Sequence, residues 1–385
     1  MEVAWITRLN ELAGLATHWN ALARGVPFRS WCWLAAWWQH YGESADNRRR
    51  LFVLAVYDDD YHLVGLAPWY LESHPRQGEV VRFLGSGDVC SDYLSILSTP
   101  GREEEVAQAL ANWLCADAHA GCGVWNNLSL CGVDAGDTVT RIFVEVMQAR
   151  GSLISQQAGP NCWRINLPAN WDEYLATLSK SHRKQLRRLQ RRLFDSGRAV
   201  LHLADDEDEV PRGLDILVGL HERRRQSIGQ ESRFSDARFA AFHRQVAGQL
   251  LHAGSLRLAW IELDGVPVAA EYQIAGHDVV YAYQSGIDPA ALEIEPGRLV
   301  MMATLRRAID ERYRAFDLLR GDEPYKPHWR AQPRRSMQVT ILPGGGARWI
   351  RNRAWLAGQQ VRAWLKDGWN AASSLPQENR SEGRR

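Results

Sequence analysis

Apolar and polar positions follow two rhythms along this chain, and the pair of rhythms runs twice. In "ELAGLATHWNALA" (11–23) the apolar residues recur at helical spacing. "WCWLAAWWQHYG" (31–42) continues as an aromatic helix that Gly42 stops. "LFVLAVYDDDYHLVGLAPWYLE" (51–72) reads as two strands around an acidic turn at Asp58, Asp59 and Asp60. "VRFLGSGDVCSDYLSIL" (81–97) predicts a strand, a loop and a further strand. Residues 103–119 read as helix, "VWNNLSLCGV" (124–133) as strand and 138–149 as helix again.

The second half restarts the sequence of elements. "CWRINLP" (162–168) predicts a strand, and 170–197 predicts one long helix stopped by Gly197. "AVLHLADDEDEV" (199–210) gives a short strand and an acidic loop. Helices follow at about 213–225 and 236–253. Residues 255–288 predict three successive strands, with Asp264-Gly265 and Gly276-His277 at the turns. A helix over 298–314 and a strand at "FDLL" (316–319) complete the pattern. The expectation is a mixed α/β protein of two tandem units, each a mostly antiparallel sheet flanked by helices. Boundaries fall at 1–160 and 161–343, followed by a basic aromatic helix and polar tail over 344–385.

Composition narrows the class. At 385 residues the chain exceeds one compact domain. A net charge of +1 excludes a generally basic nucleic-acid binder. The six Cys form neither a C-x-x-C pair nor a metal-ligand spacing with His, so free thiols and no metal are expected. The opening residues carry no continuous apolar core of a signal peptide, and no run of about 18 apolar residues marks a membrane span. A cytoplasmic protein is expected. The tail places Trp349, Trp355, Trp364 and Trp369 among Arg and Lys, a composition that suits either a membrane interface or packing onto the body.

Four stretches can carry chemistry. "EPGRL" (295–299) puts Pro296, Gly297 and Arg298 at a helix start, where free N–H groups suit a phosphate; such starts are also common without a ligand. "FDLLRGDEPYKPHW" (316–329) leaves a strand with Arg320, Asp322, Glu323, Tyr325 and Lys326 on the following loop. A carboxylate there can act as a base and a Lys can hold an anion, or the ions can pair with one another. "SKSHRKQLRRLQRRL" (179–193) sets a Leu stripe with His182 against seven cations, Arg183 among them. That face can grip nucleic acid or acidic lipid, or be balanced by "DDEDE" (205–209). "SDY" (91–93) offers Asp92 and Tyr93 to a groove or to ordinary turn chemistry.

In order along the chain, these stretches, with "FRSWCWLAAWWQHYG", "GSLRLAWIELDGVPVAAEYQI" and "YAYQSGIDPAALEIEPGRLV", resemble the GNAT-type acyltransferases of the CelD-like (cellulose-biosynthesis) group. That group is related to the Fem-type peptidyl transferases. The resemblance covers about 25–335. It implies a degenerate first unit that helps form an acceptor groove and a second unit that holds acetyl-CoA or another acyl-CoA. Gln284, Ser285, Pro296, Gly297 and Arg298 then fall to the cofactor, although the usual Q/R-x-x-G-x-G/A loop is missing here. Asp322 or Glu323 becomes the base, Tyr325 the acid for the leaving thiolate and Lys326 the anchor of an anionic group. Asp92, Tyr93, His182 and Arg183 fall to the acceptor. The implied activity is acyl transfer to an amine or hydroxyl in exopolysaccharide or cell-envelope synthesis, with a glycan or small-molecule acceptor. Peripheral attachment at the inner face of the membrane, or to a polysaccharide-synthesis complex, goes with it. The alternatives are a Fem-type transferase using aminoacyl-tRNA and a non-catalytic adaptor.

Overall fold

The computed structural model describes residues 1–42, 48–116 and 124–344. The expected tail helix and Cys122 lie outside these residues.

The first sheet uses β1 (Glu2–Ile6), β2 (Arg49–Tyr57), β3 (Leu63–His74), β4 (Gly78–Phe83), β5 (Leu97–Ser98), β6 (Asn127–Asp134) and β7 (Leu153–Ala158). Around it lie α1 (Leu9–Ala13), α2 (Ala16–Leu22), α3 (Trp31–Trp37), α4 (Glu103–Cys115) and α5 (Thr138–Ala149). The second sheet uses β8 (Cys162–Asn166), β9 (Ala199–Leu203), β10 (Leu256–Leu263), β11 (Val266–Ala275), β12 (Val279–Ile287), β13 (Ala315–Arg320) and β14 (Gln332–Arg334). Its helices are α6 (Trp171–Thr177), α7 (Lys180–Leu189), α8 (Glu209–Ser227), α9 (Ala237–His252) and α10 (Pro296–Asp310). A last strand, β15 (Ser336–Leu342), returns to the first sheet. No helix of the described residues is long and apolar enough to cross a membrane.

The strand orders are β1-β2-β3-β4-β6-β15-β7, with β5 on β3, and β14-β8-β13-β12-β11-β10-β9. Each sheet has one parallel pair, β4–β6 in the first and β12–β13 in the second. In both, an antiparallel meander precedes a helix-bearing crossover into the parallel strand, so the two sheets repeat one plan. The boundary expected at 343 is corrected by β15. It fits between β6 and β7 and closes two edges that would otherwise lie open. In chain order the second unit is therefore inserted into the first.

Two further expectations change. The single helix expected over 170–197 is broken between α6 and α7. Leu178 is extended (ψ 157°) and Ser179 caps α7, its Oγ accepting from the His182 N–H. A π-turn over Gln190–Phe194 follows, and Gly197 (φ +74°) ends the run. The second strand expected within 81–97 shrinks to β5, because Ser91, Asp92 and Tyr93 bond to the other unit instead of to a neighbouring strand.

The first core runs on into α8 and α9. Trp33 meets Phe242 (5.0 Å) and Tyr283 (5.3 Å), and Phe28 meets Tyr281 (5.6 Å), all edge to face. A second core, with Leu186, Leu189, Leu299, Leu305 and Phe316, fills the other face of the second sheet. The Leu stripe of α7 is buried there, and its cations stay outside.

Candidate active site

Strands β12 and β13 pair only through Val279–Ala315, Val280–Phe316 and Tyr281–Asp317. Beyond that point they part. One cause is α8, which lies so close on β12 that a Cβ at Gly286 would stand 2.7 Å from the His221 nitrogen. The other is a kink in β13: its pairing with β8 shifts register between Asp317 and Arg320, Leu319 adopts φ +54° and Gly321 φ +116°. The gap is a cleft of about 720 Å³. Among the described residues the freed edge of β12 from Ala282 onward has no strand partner on that side, so it offers backbone groups to an extended ligand.

Lys326 holds the kink. It is 1% exposed, and its Nζ donates to the carbonyls of Leu319 (3.0 Å), Arg320 (3.1 Å) and Gly321 (2.9 Å) while pairing with Glu323 (2.9 Å). All its protons are committed, which corrects the expectation that it anchors a ligand anion. Asp322 is corrected as well. Its Oδ1 accepts from Asn161 (3.0 Å) and Trp163 (2.9 Å), and the residue does not line the cleft. Glu323 and Tyr325 do line it. Tyr325 is half exposed; the partial burial of its ring first, then the carboxylates of Glu323 and Glu271, push the phenol above its usual range.

Gln284, Ser285, Gly297 and Arg298 also line the cleft. A Cβ at Gly297 would meet only Ile287 Cγ2, at 3.7 Å, so this helix start faces open space. Pro296 is buried behind it as the first residue of α10. Arg298 pairs with Glu295, whose carboxylate also accepts from Gln185 (2.7 and 2.9 Å).

The four residues assigned to an acceptor have other partners. Asp92 reaches the cleft, but its Oδ1 accepts from Arg320 Nε (2.7 Å) and its Oδ2 from the Arg320 N–H (3.1 Å). Tyr93 is buried and donates to Asp317 Oδ2 (2.6 Å), which Arg164 also holds (2.8 Å). "SDY" is thus the loop by which the first unit grips β13. His182 packs edge to face on Trp329 (4.9 Å) with its Nδ1 3.0 Å from the His328 carbonyl, and burial lowers its pKa. Arg183 donates to the carbonyls of Leu175 and Ala176 at the end of α6. His182, Arg183 and Tyr93 do not line the cleft.

Sequence reading missed Glu271. It stands on β11 opposite Ser285 of β12, is 5% exposed, and lines the cleft. Burial raises its carboxyl from 4.5 to about 7, against the opposing effect of the Thr304 hydroxyl, which donates to Oε2 at 2.8 Å. The lone acid in "VPVAAEYQI" was the available signal. His221, Arg224 and Arg225 of α8 complete the opposite wall.

With this geometry in hand, the comparisons give the class. Residues 180–327 match the family model described as "Acetyltransferase (GNAT) domain". That stretch is a GNAT-type acetyltransferase domain, and it contains every wall of the cleft except Cys90, Asp92 and Trp329. The chain is similar in fold to the structure titled "Crystal structure of FemX", with TM-score 0.64 and 11% identity over 88% of this chain and 97% of that one. A conserved protein of unknown function from Bacteroides thetaiotaomicron VPI-5482 aligns with TM-score 0.56 and 13% identity, over 89% of this chain and 100% of that one. The C-terminal domain (DUF2156) of a putative lysylphosphatidylglycerol synthetase from Agrobacterium fabrum gives 0.50 and 11%, over 90% and 96%. At such identities the likeness concerns the fold alone. No curated protein matches the sequence.

Proposed function

We propose that the protein transfers an acyl group from an acyl-CoA thioester to an amine or hydroxyl acceptor in the cleft between β12 and β13. The observation that carries this reading is a buried carboxyl with a pKa of about 7 on the wall of a cleft that exposes an unpaired strand edge. An acyl-CoA would lie with its amide-bearing arm along that edge and its pyrophosphate at Gly297, where a helix start faces open space. When bound it supplies an activated carbonyl.

The chain's residues divide the remaining work. Glu271 takes the proton of the acceptor as its nitrogen or oxygen bonds to the carbonyl carbon. Backbone N–H groups of β12 support the charge developing on the carbonyl oxygen. Tyr325 gives its proton to the departing sulfur, so the C–S bond breaks as the new bond is completed. No covalent enzyme intermediate is required. The CelD-like resemblance makes a sugar of an exopolysaccharide or envelope glycan the acceptor to try first.

The test is a calorimetric titration with acetyl-CoA, run beside Gly297→Trp. Micromolar binding that the variant loses is expected. Absence of binding by the parent would overturn the reading. Aminoacyl-tRNA, the donor of the Fem-type alternative, is then the next titrant.

A further inference from the structure

We infer that Lys184 and Arg188, on the flank of α7 turned toward α10, hold the 3′-phosphate of the donor's CoA nucleotide. The inference rests on the acyl-CoA reading above and adds the group by which CoA is told from its 3′-dephospho form.

Helix α7 bridges the two walls of the cleft. Its His182 packs on Trp329, beyond β13, with ring centroids 4.9 Å apart. About one turn further on, Gln185 Nε2 donates to both carboxylate oxygens of Glu295 (2.9 and 2.7 Å), two residues before Gly297, beyond β12. No residue of α7 lines the cleft itself, so the helix stands just outside its edge. A donor lying between β12 and β13 with its diphosphate at Gly297 therefore leaves the cleft beside Gln185, nucleotide end outward.

The periodicity of α7 decides which cations face that exit. Buried His182, Leu186 and Leu189 form one stripe. Arg183 lies to one side of it, bonded to the carbonyls of Leu175 and Ala176, and Arg187 follows one turn later on that side. Gln185 lies to the other side. Arg188 follows it there, with Lys184 one turn before Arg188. Both cations are exposed, and neither has a carboxylate partner among the described residues. The acid at the start of α10 does not balance them, because Glu295 is taken by Gln185 and Arg298. The acidic loop after β9 is engaged elsewhere. Glu207 pairs with His252, Glu209 accepts from the Asp205 N–H, and Asp206 accepts from the Asp208 and Glu209 N–H groups. Two free cations one turn apart beside a diphosphate seat match a phosphate monoester, which carries about −1.5 to −2 charges at neutral pH and accepts from several donors at once.

The full-length protein is titrated calorimetrically with acetyl-CoA and with acetyl-3′-dephospho-CoA. The parent should bind the first about tenfold more tightly, and the difference should shrink at high salt. Lys184→Gln, Arg188→Gln should bring acetyl-CoA down to the affinity of the dephospho form and leave the latter's affinity unchanged, the signature of a direct contact in a double-mutant cycle. Arg187→Gln, on the other flank, should keep the full discrimination. All three side chains are exposed, so melting temperatures should stay at the parent's value. Equal binding of the two compounds by the parent would overturn the inference and leave the acyl-CoA reading standing. Loss of discrimination in Arg187→Gln to the same extent would also overturn it, because a general field and not this flank would then be at work. No binding of either compound would overturn the acyl-CoA reading and this inference with it.

Discussion

Glu271 is the residue on which the chemistry turns. A carboxyl of ordinary pKa would be charged at neutral pH but too weak a base for an amine or hydroxyl, whereas one near 7 is matched to the task. The expected profile of kcat/KM against pH rises to a plateau with a midpoint near 7. Glu271→Gln should lower kcat by about a hundredfold to ten-thousandfold while leaving acetyl-CoA affinity intact. A variant that retains full activity would remove the proposed base. The same shift has a stability consequence of known sign. The folded state holds this proton more tightly than the unfolded chain does. Its contribution is therefore fully present below about 4.5 and lost as pH rises through about 7. Chemical denaturation at pH 8 should find Glu271→Gln more stable than the parent by on the order of 3 kcal/mol, and at pH 4 nearly equal. Glu271 was legible only as an acid within an apolar strand. The loop charges of "RGDEPYK" drew attention because loops favour ligands, yet burial, which no single sequence displays, decided which carboxyl was perturbed.

At the scale of elements, the opening of the cleft depends on a strand that bends. Leu319 in a left-handed conformation costs about 1–2 kcal/mol, and Gly321 at φ +116° takes a backbone conformation that L side chains rarely adopt. Three successive carbonyls are turned inward at that bend, and one buried ammonium satisfies them all. Lys326→Met should therefore destabilise the protein by about 3 kcal/mol and weaken acetyl-CoA binding as the bend relaxes. Thermal unfolding and calorimetry on the same preparation check both effects. A variant with parental stability would mean that water replaces the ammonium at no cost. Alternation and turn residues made most strands and helices readable, because they act locally. The break between α6 and α7 was obscured because Leu175, Leu178 and Leu186 keep helical spacing across it while only Ser179 marks a new cap.

At the scale of the molecule, the two units cannot be treated as separable. "SMQVTIL" forms a strand that the sequence reading leaves unassigned, and sequence position alone would leave it with the unit just completed. It pairs instead with β6 and β7, on the far side of the whole second unit in chain order. Tyr93 and Asp92 reach across to Asp317 and Arg320, and Trp33 sits between Tyr283 and Phe242. Cutting the chain at residue 160 would deny the first sheet its strand between β6 and β7. It would also leave Asp317 buried with Arg164 but without the Tyr93 hydroxyl. Fragments 1–160 and 161–343, made separately, should show neither cooperative unfolding nor acetyl-CoA binding, and the full chain should unfold in one transition. Heat denaturation followed by circular dichroism, with calorimetry on each fragment, decides the matter. If 161–343 alone folds cooperatively and binds acetyl-CoA, the grip of the first unit on β13 is dispensable. The cleft would then belong wholly to the second unit. If only the full chain binds, Asp92 and Tyr93 hold the bend of β13 from outside, and the first unit serves as a working part of the site.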